Sequence, residues 1–97
     1  MNEKIYLISY EVNEAQFDYS DLKETIKSLG DYQHPMEPLW FVRVSETIGA
    51  DEISERIKAH FHSAHDHVFV MQVEDGIPRQ GWLPKSFWKW LKQQKEI

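Results

Sequence analysis

The segment Lys4 to Val12 places the tightest limit on how this chain folds. Ile5, Leu7 and Ser9 alternate with Tyr6, Ile8 and Tyr10, so both faces of the run are largely apolar. Successive strand side chains point to opposite faces, and a strand apolar on both must be covered on both. This run therefore reads as the central strand of a small sheet, ending in the acid Glu11 where the chain leaves it.

The rest of the chain supplies the partners. Asn13 to Asp18 is polar and reads as a loop, with Asp18 or Ser20 placed to cap a helix over about residues 20 to 29. There Leu22, Ile26 and Leu29 recur at helical spacing, and Gly30 stops the run. Asp31 to Met36 is an edge-strand candidate because Pro35 has no N–H to give a ladder. Glu37 and Pro38 turn the chain into Leu39 to Val44, with Trp40, Val42 and Val44 in the inward phase and Arg43 outward. A second helix begins near Ala50, with Asp51 and Glu52 at its N-terminal end and Ile53, Ile57 and Phe61 facing inward. Val68 to Val73 is the last clear strand, with Phe69, Met71 and Val73 on its apolar side and Gln72 outward.

The order strand, helix, strand, strand, helix, strand predicts an α+β, ferredoxin-like βαββαβ domain with a four-stranded antiparallel sheet. In that topology the first strand lies between the third and the fourth. Glu74 to Ile97 follows as an extension with turn residues at Asp75-Gly76, Pro78 and Gly81, then Pro84 and a short helix over about residues 85 to 94. One layer of helices covers one sheet face, so this extension is expected to pack on the other. At 97 residues the chain has room for a single domain, residues 1 to 97 with 75 to 97 as the packed extension.

Charge is distributed unevenly. Residues 1 to 74 carry six Lys/Arg against fourteen Asp/Glu, whereas residues 75 to 97 carry five against two. An acidic body repels phosphate backbones, which confines nucleic-acid contact to the basic tail or to a metal bridge. With no cysteine, disulfides and thiolate chemistry are absent, in keeping with a reducing cytosol. No stretch has the pattern of a secretion signal or a membrane span, so a cytoplasmic protein without a membrane partner is expected.

Two clusters carry candidate chemistry. His60, His62, His65 and His67 fall within eight residues around the end of the second helix. The proposed topology brings Glu11, Glu37, His65 and His67 to one end of the sheet, where Glu11, His65 and His67 would hold a divalent metal or supply a general base. The alternative is a solvated loop whose histidines stabilise a helix end. In the tail, Arg79, Trp82, Lys85, Trp88, Lys89, Trp90 and Lys92 interleave cations with aromatic rings, as in single-strand nucleic-acid binding. The competing reading puts Trp82, Phe87, Trp90 and Leu91 in the core and leaves the lysines solvated. Trp88, off the Phe87/Leu91 stripe, is then a candidate for partner or dimer contact, together with Trp40.

The segments YLISYEV, DYQHPMEPLWFVRV, ADEISERIKAHF, DHVFVMQV and GWLPKSFWKWL together resemble a group of small bacterial proteins labelled the SinR family. These are distant relatives of the CRISPR-associated Cas-two family and of VapD-type ribonucleases. The resemblance spans nearly the whole chain and implies a ferredoxin-like fold and a homodimer. In Cas-two proteins an aspartate ending the first strand is proposed to bind a divalent metal at the dimer interface, and Glu11 stands at the matching position. Glutamate is one methylene longer, and magnesium demands tight octahedral geometry. The arginine-rich first helix of many relatives is replaced by one carrying only Lys23 and Lys27. The expectation is a dimeric binding or adaptor protein without strong catalysis. Its alternatives are a metal-dependent endoribonuclease with Glu11 as catalytic ligand, and a single-strand binder using Trp88, Lys85, Lys89 and Lys92.

Overall fold

The computed structural model describes residues 3–74 and 78–94. Its elements are β1 (Glu3–Glu11), α1 (Ser20–Lys27), β2 (Asp31–Met36), β3 (Leu39–Ser45), α2 (Ala50–Lys58), β4 (His67–Val73) and α3 (Lys85–Lys92). The sheet is antiparallel in the order β2-β3-β1-β4, the ferredoxin-like arrangement with an added helix. β1 lies between β3 and β4, as its two apolar faces require.

The main core fills one side of this sheet. Tyr6, Ile8 and Tyr10 of β1 join Trp40, Val42 and Val44 of β3 against Leu22, Ile26, Ile53 and Ile57 of the two helices. Each helix contributes through residues four apart, one turn of a 3.6-residue period. Between α1 and β2, Gly30 has φ +155°, and a Cβ there would overlap the carbonyl oxygen of Arg43. Its role is thus a close approach of two backbones as well as a helix stop. Asp18 Oδ1 accepts from the Ser20 N–H at 2.9 Å and from its hydroxyl at 2.6 Å, which fixes the entry to α1 and holds the carboxyl below its ordinary range.

The opposite sheet face is covered in part by the extension. Phe87 and Trp90 of α3 are buried, Phe87 lies 4.8 Å from Phe41 between ring centroids, and Trp90 Nε1 donates to Asp31 Oδ2 at 2.9 Å. Arg43 links the layers by donating to Glu3 Oε1 at 2.7 Å and to Gln94 Oε1. The predicted turn at Asp75-Gly76 lies outside the described residues.

β4 departs from the sequence reading in its facing. Gln72 pairs with Tyr6 and so shares the helix-covered face, where Val68 and Val70 pack on the core. Phe69 and Met71 occupy the other face, 58% and 49% exposed. A strand with apolar residues in both phases does not announce which phase meets the helices. Among the described residues no helix is long and apolar enough to cross a membrane.

Candidate functional site

At the sheet end where β1 stops and β4 starts, a cleft of about 640 Å³ opens between β1, the β2–β3 turn and the approach to α1. Glu11 and His67 are direct cross-strand partners there, and Tyr10, Tyr19 and Glu37 are among the other residues of its wall. The expectation that topology would gather Glu11, Glu37 and His67 is met.

His65 is not part of this wall. Its N–H donates to Ser63 Oγ at 3.0 Å within the preceding loop. The other histidines are also dispersed: His60 Nε2 meets Thr25 Oγ1 at 2.8 Å, and His62 Nδ1 meets Glu14 Oε2 at 3.1 Å. Among the described residues no three His, Asp or Glu side chains are grouped to hold a metal ion, so the set Glu11, His65 and His67 is not assembled within one chain. Proximity in sequence failed as a guide because the loop directs its histidines to different partners.

The remaining cleft groups have structural duties. The Tyr10 hydroxyl accepts from Trp40 Nε1 at 3.1 Å and donates to the Glu37 carbonyl at 3.4 Å. Burial raises its pKa, which keeps it protonated and unsuited to act as a phenolate nucleophile. The Glu37 carboxylate lies 3.3 Å from Lys23 Nζ, an exposed ion pair of small energetic weight. With Glu11 and Glu37 in its wall, the cleft offers phosphate a repulsive surface unless a cation intervenes.

Asp66, which sequence reasoning missed, organises the loop beneath these residues. Its carboxylate accepts the N–H groups of Asn13 at 2.8 Å, His62 at 3.1 Å and Ser63 at 3.2 Å. The Asn13 bond foremost holds its pKa below the ordinary value, against the opposing effect of burial. The local signal was an aspartate in a polar turn; the bond to Asn13, 53 residues away, had none.

Two tryptophans, one on β3 and one in the tail, depart from expectation. Trp40 is 1% exposed and stacks on His34 at 3.7 Å, so it belongs to the core and presents nothing to a second copy. Trp82, expected in the core, is fully solvent-exposed. Trp88 is half-buried beside Phe87 and lines a cavity of about 260 Å³ with Leu7, Met71, Leu83 and Leu91. Lys85, Lys89 and Lys92 are exposed along α3, as its helical phase requires.

No family model matches the chain, and no curated protein is significantly similar to it. Among solved structures the chain is similar to a hypothetical protein from Thermus thermophilus, with 14% sequence identity and a TM-score of 0.63. The match covers 86% of this chain and 96% of that one. At this identity the likeness establishes a shared fold alone.

Proposed function

We propose that the protein is a homodimeric binding or adaptor module of the Cas-two-like group, related to the SinR-labelled proteins, working in a bacterial cytoplasm without strong catalysis. The observation that carries this reading is the pair Phe69 and Met71, two large apolar side chains about half exposed on the sheet face that α3 leaves open. Exposed apolar groups next to an apolar cavity favour association over solvent. The dispersed histidines and the protonated Tyr10 support binding over chemistry. Light scattering over a wide concentration series tests the dimer: the expected mass is twice that of the chain, and a single-chain mass throughout would contradict it.

For the ligand, Trp82 together with Lys85, Lys89 and Lys92 supports single-stranded nucleic acid held on the tail, by ring stacking and phosphate contact. Trp82 takes here the place expected for Trp88.

The pairing of Glu11 with His67 at an open cleft favours a second reading, a metal-dependent endoribonuclease with Glu11 as a ligand and His67 as a ligand or base. Incubating structured RNA with magnesium, manganese or zinc separates the two. Cleavage abolished by Glu11→Ala supports the enzyme; intact RNA, or cleavage that survives the substitution, supports the binding module.

A further inference from the structure

The two edges of the sheet are built differently. β2 carries Pro35 and a register irregularity between Gln33 and Met36, both of which obstruct the addition of another strand. At the other edge, β4 runs in unbroken register with β1 from Glu11↔His67 to Ile5↔Val73. It has seven residues, no proline, and no Lys, Arg, Asp or Glu. Among the described residues no strand pairs with its outer side. A regular, uncharged edge of this length is a template for strand pairing.

We infer that the outer edge of β4 pairs antiparallel with β4 of a second copy about a two-fold axis at Val70, joining two sheets into one of eight strands. The inference rests on the dimer reading above and specifies the surface. Centring the pair on Val70 lets all seven residues of each strand take part, whereas a slip of two residues leaves five. A two-fold axis normal to the sheet keeps both helical layers on one side and both open faces on the other.

The side chains fit this register. Phe69 stands opposite the partner's Met71, and Met71 opposite the partner's Phe69, so the two exposed apolar groups meet as sulfur–aromatic contacts. His67 falls opposite the partner's Val73, and within His67–Val73 no like charges face each other. The second copy is thus chosen by complementarity of the edge with itself. Two such strands, each roughly 24 Å long, bury on the order of 1,000 Å² in total, the lower limit for a specific interface, so the dimer dissociates on dilution.

Charge substitution at the two exposed positions tests the register. Phe69→Lys with Met71→Lys sets ammonium groups against each other across the two-fold axis. Phe69→Lys with Met71→Glu sets each ammonium against a carboxylate. Sedimentation equilibrium is expected to show the first double variant at least about tenfold weaker in self-association than the second, which stays dimeric. Far-UV circular dichroism confirms that both variants fold. A dimer that survives the Lys/Lys variant, or is lost equally in both, overturns the β4 pairing while leaving the dimer reading in place. A wild-type chain that is monomeric at every concentration overturns both.

Discussion

Asp66 gathers three backbone N–H groups from two separate stretches of chain, and its carboxyl is consequently held below the ordinary aspartate range. The folded state therefore binds this proton less readily than the unfolded chain. The resulting stability is intact above about pH 4 and is lost as pH falls through the folded value. Asp66→Asn should lower the melting temperature at pH 7, and the gap from wild type should narrow steadily on acidification, as thermal melts across pH will show. Gly30→Ala should also destabilise, by about 2 kcal/mol or more in denaturant titration, because the new methyl would enter the space of the Arg43 carbonyl. At this scale legibility followed range. Gly30 was visible as a stop, but its approach to β3 was not, since Arg43 lies on a different strand. Glu11 and His67 were legible as neighbours once the topology was written down. Asp66 was not, because nothing near it in sequence points to Asn13.

Among the elements, β1 was the most legible, since apolar residues in both phases and its place in the order of elements together put it at the centre of the sheet. The tail was legible as a helix and in the facing of that helix, but not in the placement of Trp82 ahead of it. Its phase fixes Phe87 and Trp90 against the sheet, whereas Trp82 precedes α3 and is bound by no helical phase. Phe87→Ala should open the contact between α3 and the sheet at a cost of about 3 to 5 kcal/mol. A change in near-ultraviolet circular dichroism with far-ultraviolet signal from the sheet preserved would locate the loss. If the tail holds single-stranded nucleic acid, replacing Lys85, Lys89 and Lys92 by Gln removes up to three phosphate contacts. The slope of log affinity against log salt should then shrink by about 2. An unchanged slope would remove α3 from the binding surface.

For the whole molecule, one architecture accounts for the central β1, the covered helix side and the half-open opposite side. The order of elements made this fold readable before its contacts were known. The proposed association surface was harder to read, because Trp40 and Trp88 attract notice by size, whereas the β4 edge is marked only by the absence of proline and charge. Joined through β4, two copies make an elongated particle rather than a stack. Small-angle X-ray scattering on a concentration series measures mass and shape together. The account predicts, at high concentration, twice the chain mass and a longest dimension well beyond the 37 Å of one chain. A scattering profile that stays at the single-chain mass, with a radius of gyration near 13.6 Å at every concentration, would contradict it.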